Sequence, residues 1–245
     1  MPHGKAGVCA IAVMAKAPQA GRVKTRLVPP LTPAQAMEMS ASFLRDITEN
    51  LRLAARTAAI DPHVAFAPAG EEARFDGLLA EGTRLVLADG SGEAAAGVEG
   101  FGRSLLHAAR ALFDRGYGSV CLLNADSPTL PTSVLRRAAM ALAEPGDRVV
   151  FGAAEDGGYY LIGMTAPHAR LFADIAWSTE RVAAQTRERI GELGLPLVEL
   201  PTWYDVDDRA ALVRLLRETG EDGDAFAAPA TAACAARMRL ADILG

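Results

Sequence analysis

The chain has 245 residues, half of them hydrophobic, which is enough material for one large domain or two small ones. Its 25 Lys and Arg against 30 Asp and Glu leave a net charge of −5. That balance argues against general nucleic-acid binding, which needs basic character spread over a face. Cys9, Cys121 and Cys234 are widely spaced and form neither a CxxC pair nor a zinc spacing. The first two fall in apolar runs, as reduced core thiols of a cytoplasmic protein do. No apolar run approaches the ~18 residues of a membrane span. The short N-terminal run lacks a small-residue cleavage pattern and reads as a strand, not a signal peptide. A soluble protein without membrane or nucleic-acid partners is expected.

The apolar run 9–15 predicts a buried first strand. Lys16, Arg22, Lys24 and Arg26 follow within one short loop, and no acid precedes Glu38. Thr32, Pro33 and Gln35 supply an N-cap, a proline at the first helical position and a capping-box glutamine. The helix they open sets Phe43, Leu44, Ile47, Leu51 and Ala54 on one face. Strands are predicted at 63–66 and 84–88, with a short amphipathic helix near 71–79 between them. Five glycines between Asp89 and Gly102 favour a loop. Further on, the pattern predicts a helix over 103–115, a strand at 119–123 and a helix from Pro131-Thr132. Strands at 148–153 and 159–164 come next. A helix from an N-cap at Ser178 to about Leu193, a strand at 197–200 and a helix over 208–218 complete the series.

Strands alternating with helices through short connections predict an α/β layered domain with a mostly parallel sheet. A single domain over 1–219 is expected. Residues 220–245 differ: Gly, Asp and Ala dominate as far as Ala236, and a short helical patch, 237–244, ends the chain. They read as an Ala/Gly-rich, loosely attached C-terminal appendage.

In an open parallel sheet, ligands bind beyond the carboxyl ends of the strands, and polar segments fall there. In the first loop Gly21 permits a tight turn, while Lys16, Arg22, Lys24 and Arg26, with Thr25, offer charge-assisted bonds to phosphate oxygens. The competing reading is a solvated basic turn. The spacing matches neither the Walker pattern nor GxGxxG. After the strand at 119–123, Asp126 stands before a rigid Ser-Pro turn, suited to a phosphate-bridging cation or simply to capping that turn. Asp205 and Asp207 follow the last strand and share a face if it continues, so either can meet Asp126 around Mg2+ or Mn2+. Asp207 or Asp208 also serves as an N-cap. Glu155-Asp156-Gly157-Gly158 is either a close backbone approach to a ligand, with Asp156 accepting from a sugar or acceptor hydroxyl, or a plain hairpin turn. Trp177, Ser178 and Thr179 place hydroxyls at a helix start, for an anion or only for capping. His3, His63, His107 and His168 are scattered, and no GxSxG is present. Asp126, Lys24 and Asp156 are the candidate catalytic groups.

Taken together in this order, Lys16 to Leu27, Asn124-Ala-Asp126-Ser-Pro128, Glu155 to Tyr160, Trp177-Ser-Thr179 and Tyr204-Asp-Val-Asp207 resemble a bacterial family of glycosyltransferase-A-like proteins. These belong to the nucleotide-diphospho-sugar transferase superfamily and include arsenosugar-biosynthesis and radical-SAM-associated transferases. The resemblance spans about 11–216. It implies a Rossmann-like, three-layer α/β/α sandwich with a nucleotide over the sheet. It also implies a metal-binding aspartate, matching Asp126, with Asp205 or Asp207 beside it. The run Lys24-Thr25-Arg26-Leu27 also resembles the loop of 2-phospho-lactate guanylyltransferases. One segment departs: Phe101-Gly102-Arg103-Ser104 stands where many members carry Leu-Gly-Glu-Arg.

The expected activity is metal-dependent transfer from a nucleotide-activated donor to a small-molecule acceptor, first as glycosyl transfer from a nucleotide-diphospho-sugar. The alternatives are nucleotidyl transfer with release of pyrophosphate and, without catalysis, a nucleotide-binding sensor.

Overall fold

The computed structural model describes residues 5–218 and 224–244. His3 and Gly220 fall outside the described residues. Seven strands form one sheet: β1 (Cys9–Lys16), β2 (Ile60–Ala67), β3 (Arg84–Leu87), β4 (Ser119–Leu123), β5 (Val149–Ala153), β6 (Tyr159–Met164) and β7 (Leu197–Glu199). Their spatial order is β3-β2-β1-β4-β6-β5-β7. β6 alone runs antiparallel to its neighbours β4 and β5, because the short turn after β5 folds it straight back as a hairpin. All other pairings are parallel.

Helices cover both faces, and the period-two alternation of β1 sorts the two cores. Cys9, Ile11, Val13 and Ala15 pack beneath α1 (Pro33–Ala54) and α3 (Thr132–Ala143). Ala10 and Ala12 face α2 (Phe101–Asp114), in the core that α4 (Val182–Glu192) also joins. This two-sided cover explains the apolar runs of the central strands β1 and β4. The architecture is the three-layer α/β/α sandwich.

α1 begins as its sequence dictates. Thr32 accepts from the Gln35 N–H and the Gln35 side chain accepts from the Thr32 N–H, with Pro33 opening the helix. Its stripe of Phe43, Leu44, Ile47 and Leu51 is buried, each side chain contributing roughly 1.5–3 kcal/mol.

Two local expectations fail. The helix expected near 71–79 shrinks to a 3-10 turn, Glu72–Phe75, since Gly77 turns left-handed at φ 67° immediately beyond it. Ser178 is no helix cap. Its own φ is 64°, and α4 starts only at Val182 after Arg181.

α5 (Arg209–Glu218) takes Asp208 as its cap through the Ala211 N–H. α6 (Pro229–Arg237) and α7 (Leu240–Leu244) follow, and the first of these has no signal in the pattern before Ala236. Cys234, Ala235, Leu240 and Leu244 are buried in the same core as α1. The α6 amides are capped at a distance, because Asp46 on α1 accepts from the N–H groups of Ala230 (2.9 Å) and Thr231 (2.7 Å). The described part of 220–245 is therefore packed against the domain.

Candidate nucleotide-binding cleft

β2 and β3 lie to one side of β1 and β4 to the other, so the strand order reverses between β1 and β4. A crevice at the carboxyl ends of the strands belongs at that point. The structure has a cleft of about 390 Å³ there. Its floor is small and apolar, from Ala15, Ala65, Ala67 and Ala88 at or just beyond the strand ends. One wall is the loop after β1, with Lys16, Arg22, Lys24, Thr25 and Arg26. Asp126 and Asp207 join that wall, within 2.5 and 2.9 Å of Lys24. Cations of this lining outnumber its carboxylates by four to two.

The basic loop is built around Lys24. Gly21 turns at φ 74° in open space, so its role is conformational and not one of clearance. Lys24 itself is left-handed at φ 48° and ψ 39°, a conformation costing a non-glycine residue about 1 kcal/mol. The 3-10 turn Thr25–Leu27 follows, anchored by buried Leu27. The Lys24 side chain turns inward and is only 6 % exposed. Its Nζ donates to Asp126 Oδ1 at 2.5 Å, Asp207 Oδ1 at 2.9 Å and the Val206 carbonyl at 2.8 Å. The Phe43 ring centroid lies 5.3 Å away. Burial alone pushes the ammonium pKa down, but Asp126 and Asp207 outweigh it and hold Lys24 above the ordinary lysine value. Lys16 and Arg22 make no ion pair among the described residues, and Arg26 lies 3.7 Å from Asp207.

Asp126 and Asp207 meet because the segment after β7 folds across the end of β4. The Val206 N–H donates to the Asp126 carbonyl at 2.8 Å, and the Ser127 hydroxyl lies 3.0 Å from the Tyr204 carbonyl. Asp205 takes a different position from Asp207. Its Oδ1 accepts from Asn124 (2.5 Å) and Ser127 (2.6 Å) inside the wall. Burial pushes its carboxyl up to about 7, and the charges of Asp126 and Asp156 add to the rise.

Three carboxylates therefore do not gather. Among the described residues, no group of three or more His, Cys, Asp or Glu is placed for a metal ion. What converges is a pair, Asp126 and Asp207, with oxygens on one cationic nitrogen and about a third of each side chain exposed. Two carboxylates completed by phosphate and water form a donor set that magnesium accepts, so this pair fits a hard divalent cation. Asp205 Oδ1 is held by its two donors beside this pair.

The remaining candidates lie outside the cleft lining. Asp156 closes its own turn by accepting from the Gly158 N–H at 2.9 Å. Gly157 has φ 88°, and a Cβ there would stand 2.3 Å from the Glu180 carbonyl. Its absence of a side chain thus serves the packing of 179–181 against the hairpin. Thr179 bonds locally to the Ala176 carbonyl. Trp177 reaches the cleft at second hand, packing edge-on at 5.7 Å against Phe101, which lines the mouth and is 49 % exposed. Phe101, Ser104 and Ser40 are lining residues that motif reading did not single out. The only signal was the unusual Phe101 to Ser104 segment.

No curated protein matches the chain in sequence. Solved structures share its fold. A protein of Desulfovibrio desulfuricans G20, provisionally named a nucleotide-diphospho-sugar transferase, has a TM-score of 0.78 at 26% identity, over 99% of this chain and 97% of that one. A cytidylyltransferase of Leptospira borgpetersenii gives 0.55 at 12% identity, over 99% and 97% of the two chains. A nucleotidyl transferase of Methanothermobacter thermautotroptrophicus gives 0.53 at 17% identity, over 86% and 97%. The fold is thus the one found in nucleotide-diphospho-sugar transferases and nucleotidyltransferases. Residues 50–179 match the family described as "Uncharacterized protein conserved in bacteria (DUF2064)", and the chain belongs to that family.

Proposed function

We propose that the chain is a metal-dependent transferase that takes a nucleotide-diphospho-sugar into the cleft between β1 and β4 and passes the sugar to a small-molecule acceptor. The observation that carries this is the wall where Lys16, Arg22, Lys24 and Arg26 meet Asp126 and Asp207 beside a lining of small alanines. The cations suit a diphosphate, and the small floor residues leave room for a flat base. The provisional name of the Desulfovibrio desulfuricans protein supports the same donor class.

In this reading Lys16, Arg22 and Arg26 hold the diphosphate. Asp126 and Asp207 would hold Mg2+ or Mn2+, which would supply Lewis-acid stabilisation to the departing diphosphate. An acceptor oxygen or other nucleophile forms a bond to the anomeric carbon while the bond to the diphosphate oxygen breaks. The basic wall neutralises the charge that appears on the departing nucleoside diphosphate. Asp156 is the acceptor-side candidate of this scheme, accepting from a sugar or acceptor hydroxyl, and the acceptor's proton leaves to solvent.

A second reading is nucleotidyl transfer from a nucleoside triphosphate, favoured by the excess of loop cations over carboxylates. The run Lys24-Thr25-Arg26-Leu27, which resembles the loop of 2-phospho-lactate guanylyltransferases, points the same way. Likeness to arsenosugar-biosynthesis and radical-SAM-associated transferases favours the first. The two readings differ in the leaving group. Phosphorus NMR of a turnover mixture reads nucleoside diphosphate for the first and pyrophosphate for the second. Binding without either product over a broad acceptor panel would leave the sensor reading.

A further inference from the structure

We propose that Lys24 is an internal counter-cation that closes the Asp126–Asp207 pair to free divalent metal, so that metal and a phosphate-bearing ligand enter the cleft together. Three bonds from Nζ, to Asp126, Asp207 and the Val206 carbonyl, use all three ammonium donors. Nothing of that group is left over for a phosphate. The arrangement is specific: the backbone is left-handed at Lys24, and the side chain is buried beside Phe43. Lys16 and Arg22 of the same loop remain outside it, and Arg26 reaches Asp207 only at 3.7 Å.

A metal ion arriving alone must pull two carboxylates from a tethered ammonium and strand that charge in a buried position, which is costly. A polyphosphate changes the balance. It brings oxygens that complete the metal's shell, and it offers the released Lys24 an anion at the same place. Coupling of this kind is reciprocal, so each of the two ligands must tighten the other by the same factor. The inference rests on the transferase reading only for the identity of the natural polyphosphate.

The test uses Mn2+ and inorganic pyrophosphate as probes on the full chain. Calorimetric titration of Mn2+ alone should give weak binding to the wild type. Lys24→Met should bind Mn2+ about tenfold tighter or more, as expected when an ammonium touching both carboxylates is removed. In the wild type, Mn2+ with pyrophosphate should raise the melting temperature by more than the sum of the separate shifts. Equal Mn2+ affinity in the two proteins, or strictly additive shifts in the wild type, would overturn the proposal. If Lys24→Met does not fold, the wild-type additivity measurement decides alone. A wild type that no nucleotide or nucleotide sugar stabilises contradicts the transferase reading, and the Mn2+ comparison still decides the role of Lys24.

Discussion

Lys24 Nζ lies 2.5 Å from Asp126 Oδ1, joining residues from two strand ends on opposite sides of the point where the sheet reverses its order. The contact makes the loop after β1 and the loop after β4 one surface. Asp207 extends that surface from the segment after β7. Residues distant in the chain thereby form an anion-binding wall with a two-carboxylate edge.

The cations that lack ion-pair partners should matter for ligand and not for stability. Lys16→Ala and Arg22→Ala are each expected to weaken nucleotide binding about tenfold or more, the loss of a hydrogen bond to a charged group. Their unfolding free energies should stay within roughly 0.5 kcal/mol of wild type, as at other surface positions without special contacts. Calorimetric titration and urea unfolding on the same preparations separate the two effects.

Gly157 presents the reverse case. Gly157→Ala places a methyl 2.3 Å from the Glu180 carbonyl and forces alanine to φ 88°. A destabilisation of about 1–3 kcal/mol is expected, with nucleotide affinity unchanged in the folded fraction. A loss of affinity without loss of stability would instead make this turn part of the ligand site.

Asp46 ties α6 to α1 through two backbone amides. Asp46→Ala should cost about 1–2 kcal/mol, the range for removing a helix cap. Hydrogen exchange should quicken first in α6 and α7, with the sheet still protected. Uniform quickening across the chain would mean that these helices open only with the whole domain.

The opposite end of the sheet has a polar network that titrates. Asp61 accepts from Tyr117 and pairs with Arg84 at 2.9 Å and Lys5 at 3.6 Å. Burial opposes the charged form, but the Tyr117 bond and the charges of His63, Arg84 and Lys5 prevail and hold the carboxyl below its ordinary value. A depressed pKa contributes stability that is present above the unfolded value of about 3.9 and lost as pH falls through the folded one. The stability gap between wild type and Asp61→Asn should therefore be widest near neutral pH and narrow in acid. Urea midpoints measured across that range check the sign.

Much of the framework was legible because burial on two faces leaves unmistakable apolar runs. β4 and β6 fall at 119–123 and 159–164, as their patterns predict. The capping box of α1 is written in the four residues Thr32 to Gln35. α6 was not legible, since its cap comes from Asp46, 184 positions away, and Ala228 before it is left-handed. The reversal of β6 was readable only as one of two alternatives, the hairpin turn at 155–158, because paired glycines serve a turn and a ligand approach equally well. In the cleft, charge type and strand-end location were readable, but partners were not. The left-handed turn that aims Lys24 inward depends on Val206 and Asp207, which arrive from the far end of the domain. Asp205 and Asp207 looked equivalent until Asn124 and Ser127 claimed one of them.

In the proposed transferase, a nucleotide-activated donor binds at the wall shared by Lys24 and Asp126. The most direct measurement is a thermal-shift panel of nucleotide sugars and nucleoside triphosphates with Mg2+ or Mn2+, run on wild type and Asp126→Asn. A donor at about 100 times its dissociation constant should stabilise the wild type by about 2.7 kcal/mol. The account predicts that shift for one donor class in the presence of metal, and its loss in Asp126→Asn. An equal shift in the variant, or none for any nucleotide in the wild type, would contradict it.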